Sequence, residues 1–253
     1  MKKIAPWLTI ILYLVVVLSF IGAKKDKIKC KNVNVNIIDK TNNFFIEKKD
    51  VLTMLEDKGE ELIGQNINDV NVNKLEEMLL VNPSVKDANV YRTINGNIEI
   101  EIKQRNPILR IINKNKESFY VDDTGKIMPL SNKYTAHVLI ASGDINLSYT
   151  KLISLQTHNK IDTLLLNINK LSKYIYNDRF LKSQIEQIYV NKSNFELIPI
   201  VGTQIIEFGD IQNYKEKFNK LKALYKQGFS KMGWNKYKII NLKYYNQVIC
   251  TKK

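Results

Sequence analysis

The chain has 253 residues, a formal net charge of +14 and 44% hydrophobic residues, which suffices for two small domains with hydrophobic cores. No basic run is interleaved with aromatic residues, so the sequence argues against nucleic-acid binding despite the surplus of positive charge. The two cysteines, Cys30 and Cys250, and the two histidines, His137 and His158, stand apart along the chain, which argues against a metal centre or a bound cofactor. We expect both thiols to be free, because nothing local brings the cysteines together.

An uncharged segment runs from Ile4 to Ala23. As a helix it would cover about 30 Å, the thickness of the hydrocarbon core of a bilayer. The alternative is a cleaved signal peptide, but its apolar region is shorter and ends in a small-x-small site, whereas here Ile21 precedes the Gly22-Ala23 exit. We therefore predict a short tail at 1–3, a transmembrane helix at 4–23 and a basic juxtamembrane linker at 24–31.

Charge alone does not decide which side of the membrane the body of the protein occupies. Residues 1–31 hold seven lysines and one aspartate, and most of these lysines follow the apolar segment. The positive-inside rule would then leave the body in the cytoplasm. The same lysines form a basic collar suited to anionic lipid headgroups or wall polymers.

Residues 32–104 begin with a strand and two helices. Asparagine alternates with apolar residues over 32–37, which indicates a half-buried strand. A short helix is expected from about Glu47 to Lys58-Gly59. A second is expected from about Asn73, with Glu76 in capping-box spacing, to the stop at Asn82-Pro83.

A β-hairpin completes this domain. Asn95-Gly96 lies between two apolar alternations and predicts a two-residue hairpin with a type I′ turn. After the turn, Ile98, Ile100 and Ile102 point to one side, so one face of the strand is expected to be core. The predicted order is strand, helix, helix, strand, strand, in a domain of the α+β class.

Residues 105–253 predict a second domain, a mixed β-sheet with helices packed on it. A long amphipathic helix is expected from Ile161, prolonged by 180–185, and a charged helix from Ile211 to about Gln227. The strand candidates are 108–112, 118–121, 128–130, 138–143, 185–190, 195–201, 204–208 and two pieces within 237–250 around Tyr245-Asn246.

The run Asp122-Asp123-Thr124-Gly125 has two interpretations. Adjacent carboxylates can form a metal site or an acid–base pair, but no third ligand or histidine lies nearby in the sequence. Asp and Gly also suit a turn on backbone grounds. We predict a structural turn between strands.

A set of short motifs spans the predicted hairpin and the turn at Asp122. The pattern N-P-x-V-x-x-A-x-V-x-R is followed by a hairpin glycine, alternating apolar residues, Q-R-x-P and Y-x-D-x-x-G. The matching positions are Asn82, Pro83, Val85, Ala88, Val90, Arg92, Gly96, Gln104, Arg105, Pro107, Tyr120, Asp122 and Gly125. These motifs resemble those of the FtsQ/DivIB family of bacterial cell-division proteins. The resemblance covers essentially the whole chain and is strongest over 82–143. It implies a POTRA domain at 32–104 and a β domain at 105–253.

The resemblance also implies a function and an orientation. It indicates a single-pass inner-membrane scaffold of the divisome at the septum, with a cytoplasmic tail at 1–3 and both domains periplasmic. Its partners would be an FtsB/FtsL-like coiled-coil pair, with the septal wall synthase and upstream division proteins as further candidates. No cofactor, nucleic acid or small-molecule substrate is implied.

In that family the late strands form an exposed edge to which a segment of FtsB adds as an extra strand. The resemblance therefore places partner binding near the C-terminus of this chain. The alternative is that these are ordinary sheet residues. The predicted partner-binding residues are Lys243, Tyr244, Tyr245, Asn246, Gln247 and Val248.

Two other functions are less favoured by the sequence. A hydrolase would need a nucleophile beside a base, but no G-x-S-x-G motif occurs and Ser142-Gly143 has no histidine placed near it; we therefore predict no enzymatic activity. POTRA modules also occur, usually in tandem, in outer-membrane assembly and secretion proteins. Here there is one copy, and the segment after it contains long helices.

Overall fold

The computed structural model describes residues 10–17, 28–38, 43–157, 162–229, 233 and 236–253. Residues 10–17 are helical, while the predicted tail, the rest of the span 4–23, the first half of the linker (24–27) and His158 lie outside the described residues. None of the helices within the described residues combines the length and the apolar character needed to cross a membrane. The chain divides into two compact units, Met1–Gln104 and Arg105–Lys253.

The first unit is a three-stranded sheet with two helices. The strand order is β1-β3-β2, with β1 parallel to β3 and β2 antiparallel to it. The predicted order of strand, helix, helix, strand, strand is confirmed. The elements are β1 (Asn32–Ile37), α1 (Lys48–Glu56), α2 (Val72–Leu80), β2 (Val85–Arg92) and β3 (Asn97–Gln104).

The N-terminus of α2 differs from the prediction. Asn71 is the N-cap, and its side chain accepts a hydrogen bond from the Lys74 N–H at 3.1 Å. Glu76 accepts from the Val90 N–H on β2 at 2.7 Å, so its expected capping-box role is wrong. The capping box is found instead in α1, between Glu47 and Asp50.

The predicted hairpin is present, but its turn is different. The Gly96 N–H donates to the Thr93 carbonyl at 3.1 Å, so the turn spans four residues, 93–96. Gly96 has a φ of +88°, whereas Asn95 is not among the residues with positive φ. The type I′ prediction is therefore wrong, because that turn needs positive φ at both central residues. A single left-handed glycine at the last position of the turn matches a longer hairpin loop.

The second unit is built on a nine-stranded mixed sheet in the order β12-β11-β10-β9-β8-β7-β4-β5-β6. The pairs β4–β7, β7–β8 and β10–β11 are parallel. The predicted mixed sheet is confirmed. Its strands are β4 (Pro107–Ile112), β5 (Ser118–Asp122), β6 (Ile127–Met128), β7 (Leu139–Gly143), β8 (Ile185–Asn191), β9 (Asn194–Pro199), β10 (Ile205–Gly209), β11 (Tyr237–Asn241) and β12 (Ile249–Lys252).

Helices share one hydrophobic core with this sheet. The helix α3 (Tyr149–Thr157) is not predicted by the sequence, and Leu152 is its fully buried residue. A helix with so narrow a buried side carries little periodic signal. The remaining helices are α4 (Thr163–Asn177), α5 (Arg179–Gln184) and α6 (Tyr214–Ala223), which continues as a π-helical segment over Leu224–Phe229.

Asp122 organises the turn after β5. Its side chain is fully buried and accepts hydrogen bonds from the N–H groups of Thr124 and Lys126, both at 2.8 Å. The Thr124 hydroxyl donates at 2.6 Å, and Arg105 donates through Nη1 at 3.0 Å. The carboxylate is thus used by the backbone and by one guanidinium, which confirms the turn interpretation.

We expect Asp122→Ala to lower the free energy of unfolding by about 3–5 kcal/mol, because it leaves a partly buried cation and several donors without an acceptor. Urea unfolding of the full-length chain followed by circular dichroism measures this loss. Asp123→Ala, at the half-buried neighbouring carboxylate, is the matched control with an expected loss of about 1 kcal/mol or less. Equal losses in both variants would contradict the role given to Asp122.

Candidate partner-binding edge of the C-terminal sheet

The strand β12 ends the nine-stranded sheet and pairs on one side with β11. The pairing is antiparallel, with Asn241 opposite Ile249 and Ile240 opposite Cys250. The other end of the sheet, β6, has only two residues, and both are buried. Of these two ends, only β12 therefore offers a strand of useful length for pairing with another chain.

The peptide groups of β12 alternate in direction. The Lys253 N–H donates to the Lys236 carbonyl at 3.1 Å, toward β11. Because neighbouring residues of an antiparallel strand face opposite sides, the N–H and C=O groups of Cys250 and Lys252 point to the outer side. The bulge in this pairing adds a residue to β11 and leaves the alternation of β12 intact. The outer side thus presents two residues' worth of aligned donors and acceptors.

The side chains of β12 also divide between two faces. Cys250 lies opposite the buried Ile240 and packs against the hydrophobic core. Burial raises the pKa of the Cys250 thiol. Ile249 and Thr251 point to the opposite face, where Ile249 is 43% exposed. An added strand would therefore meet an apolar residue on each face of the edge.

The six predicted partner-binding residues lie just before this strand. They form the loop 243–248 between β11 and β12, and not the edge strand itself. Tyr245 is 77% exposed and Tyr244 is 49% exposed, whereas Val248 packs against the core. Asn246 adopts a left-handed φ of +57°, which asparagine tolerates. Any hydrogen bonds of strand addition must come from Ile249–Lys252, with the loop beside them.

The start of the loop is bound to β10. The Leu242 N–H donates to the Glu207 carbonyl at 2.9 Å. The Glu207 carboxylate accepts from the Asn241 side-chain amide at 2.7 Å and from the Lys243 Nζ at 2.8 Å. One acidic residue of β10 therefore fixes three successive residues at the end of β11.

Lys220 of α6 holds the rest of the loop. Its ammonium donates to the carbonyls of Leu242 at 3.2 Å, Tyr244 at 2.5 Å and Gln247 at 3.4 Å. Burial lowers the pKa of Lys220, and so does the Lys217 ammonium nearby. Sequence reasoning does not identify Lys220 or Glu207, because each acts on a loop more than twenty residues away.

Comparison with known families agrees with this architecture. A family model described as FtsQ/DivIB, C-terminal related, matches residues 106–251, more than half of the chain. A model described as a POTRA-like domain matches residues 28–103. The chain belongs to the FtsQ/DivIB family. A comparison with curated protein sequences gives no match.

The resemblance inferred from the sequence motifs is confirmed, as is a POTRA-like domain followed by a large mixed sheet. Membership of the FtsQ/DivIB family supports a role in bacterial cell division with divisome proteins as partners in general. The family consists of non-catalytic scaffold proteins.

No group of three or more metal-ligating side chains occurs among the described residues. The Ser142 hydroxyl accepts from the Gln187 side chain at 2.6 Å, so a glutamine stands where a serine nucleophile would need a base. His137 is exposed and lines a cavity of about 380 Å³ with Arg110 and Glu186. Cys30 and Cys250 are free thiols.

Another sheet edge in this FtsQ/DivIB chain is partly occupied. The strand β2 lies at one end of the three-stranded sheet. Its Val90 N–H donates to the Glu76 carboxylate of α2 at 2.7 Å. Since that donor is taken by the protein's own side chain, β2 is less open than β12 to an added strand.

The helix that carries Lys220 is itself fixed in several ways. Phe218 stacks on Tyr174 of α4, with ring centroids 5.0 Å apart, and contacts Phe208 of β10 at 4.8 Å. The Lys222 Nζ lies 2.8 Å from an oxygen of Asp178, the N-cap of α5. The packing and the ion pair thus place α6 between the helices and the edge of the sheet.

The Asp178–Lys222 pair gives a pH dependence. Partial burial raises the pKa of Asp178, but bonds from the Lys222 ammonium and from the N–H groups of Leu181 and Phe180 outweigh it, so the pKa lies below its ordinary value of 3.8. A carboxyl whose folded pKa is depressed stabilises the fold above its unfolded pKa. This contribution is lost as the pH falls through the folded pKa.

We therefore expect Asp178→Asn to cost about 1 kcal/mol of unfolding free energy at neutral pH. The difference from the parent chain should shrink as the pH falls below about 4. Asparagine is chosen because it retains the N-cap. Urea unfolding at a series of pH values measures the difference in unfolding free energy. Asp162→Asn, at the N-cap of α4, is the control and should show a smaller pH-dependent difference. Equal pH dependence in both variants would contradict the role of the ion pair.

Proposed function

We propose that this protein is a membrane-anchored scaffold of the bacterial divisome that captures a partner by strand addition at β12. The observation that carries the proposal is the open outer side of this strand, with the peptide groups of Cys250 and Lys252 directed away from β11. Such an edge binds an extended segment through main-chain hydrogen bonds, while the side chains beside it add selectivity. The family match supports the cellular context.

The positive charge around β12 indicates which kind of partner segment would fit this edge. Four lysines on or directly next to β11 and β12 are exposed: Lys236, Lys238, Lys252 and Lys253. Lys243 is already paired with Glu207. A partner segment with apolar residues at alternate positions and carboxylates at its ends would match the exposed Ile249 and these lysines. An FtsB/FtsL-like coiled-coil pair with a short extended segment is the proposed partner.

The loop 243–248 lies beside the added strand in this proposal. Tyr244 and Tyr245 are exposed aromatic side chains, and such residues give large contact areas at protein interfaces. The predicted residues therefore keep a role as side-chain contacts. The hydrogen bonds themselves are assigned to β12.

The proposed location is the cytoplasmic membrane at the division septum, with both domains on the outer side. The support is the uncharged segment 4–23, of which residues 10–17 are helical and almost entirely exposed, together with the family. In this arrangement the protein would link upstream division proteins to the septal wall synthase. It would act by binding, with no reaction of its own.

The edge is tested by a pair of substitutions at one residue. Lys252→Pro removes an outward N–H and places a ring at the open side, whereas Lys252→Ala removes the charge and keeps the N–H. We expect Lys252→Pro to weaken capture of the host's FtsB/FtsL-like pair at least about tenfold relative to Lys252→Ala. Affinity is measured with the full-length protein in detergent. Equal affinity in the two variants would contradict strand addition at β12.

Depletion of the protein in its host tests the cellular role. We expect long filaments with segregated chromosomes and stalled septa, because a divisome scaffold acts after chromosome separation and before wall synthesis. Fluorescence imaging of membrane and DNA during depletion measures this. Normal septation with a defective outer membrane would overturn the proposal and assign the POTRA-like domain to envelope assembly.

A further inference from the structure

From the contacts of Lys220 we infer that this residue is a positioning residue for partner capture. Its ammonium acts as a cationic latch, which means that it holds the β11–β12 loop and so keeps β12 in place as an edge strand. The inference rests on the proposed function for its biological meaning. Its structural part concerns the protein alone and can be tested without a partner.

The geometry of the latch is that of an ammonium surrounded by carbonyls. Lys220 donates to the carbonyls of Leu242, Tyr244 and Gln247, at 3.2, 2.5 and 3.4 Å. An ammonium has three N–H donors and no acceptor, so its donors match these three carbonyls in number. Without a cation, the negative ends of three carbonyl dipoles would converge on one another. The loop conformation therefore depends on the positive charge.

The latch acts on the part of the loop that β10 does not hold. Glu207 binds residues at the start of the loop, whereas the Lys220 bonds reach Tyr244 and Gln247 beyond it. The left-handed Asn246 lies between these two residues. Residue 247 is followed almost directly by Ile249, the first residue of β12. A loosened loop would free one end of β12 from β11.

The latch has a rigid base. Lys217, one turn before Lys220, is buried, and its Nζ donates to the Asp210 carboxylate at 2.7 Å and to the Asp210 carbonyl at 2.9 Å. Phe218 is fully buried between Tyr174 and Phe208. The Lys217 bonds and the packing of Phe218 hold α6 in place next to Lys220. The Lys220 ammonium therefore binds the loop from a fixed position.

Hydrogen exchange of the full-length protein without a partner tests the structural part. We expect Lys220→Met to accelerate exchange of the backbone amides in residues 237–253 about tenfold or more, since several charge-assisted hydrogen bonds are lost. Exchange over β8 and β9 should not change. Lys220→Arg keeps a cation with several donors and should retain most of the protection. Lys215→Met, at an exposed lysine of the same helix, is the control for charge and should match the parent.

Unchanged exchange in Lys220→Met, or equal acceleration in Lys220→Arg and Lys220→Met, would overturn the latch. Partner capture is then measured for the same variants with the host's FtsB/FtsL-like pair, and we expect about tenfold weaker binding for Lys220→Met alone. Faster exchange with unaltered affinity would overturn the positioning role. Failure of the parent protein to bind the pair would overturn the proposed function, while the exchange result would still decide the latch.

Discussion

An open β-sheet has two edge strands whose outer backbone donors and acceptors lack a strand to pair with. In the second unit the two edges differ in length and in exposure. At one end the sheet closes with β6, a two-residue strand whose side chains are buried. At the other end β12 is four residues long, and most of its residues are exposed. A protein that keeps such an edge open risks non-specific pairing. Here lysines surround the edge and disfavour partners of like charge.

The open edge is useful only if its strand is held in a defined position. β12 pairs with a strand on one side, β11, so pairing alone would leave it prone to fraying. Side chains from two other elements support it. Glu207 of β10 and Lys220 of α6 bind the backbone and side chains at the turn between the two strands. The edge is thereby fixed from outside the hairpin that forms it.

In the first unit, the edge strand β2 is partly closed by a side chain of the protein itself. Glu76 of α2 occupies the Val90 N–H of β2 with a hydrogen bond of 2.7 Å. A carboxylate that accepts from an edge donor removes one of the groups that an incoming strand would need. Within one chain, one edge is thus partly closed by a side chain, while another is supported by side chains and left open.

Local patterns in the sequence determine much of this fold. The alternation of Ile98, Ile100 and Ile102 encodes a strand with one buried face, and the burial of all three residues agrees. Asp122 and Gly125 encode a turn, because their conformational preferences act over a few residues. The family is likewise written in short motifs around the hairpin and this turn. These features depend on neighbours in the chain, so the sequence alone is sufficient for them.

The remaining features depend on contacts between distant residues. The sequence predicts a capping box with Glu76, but in the structure its carboxylate accepts a hydrogen bond from the Val90 N–H on β2 instead. The partner-binding residues are predicted in the loop 243–248, whereas the open peptide groups belong to Ile249–Lys252, because only the order of strands shows which one is last. Lys220 is one of many lysines in the sequence. Only the tertiary structure brings its ammonium to the carbonyls of a loop more than twenty residues away, since no local preference encodes a contact over that separation.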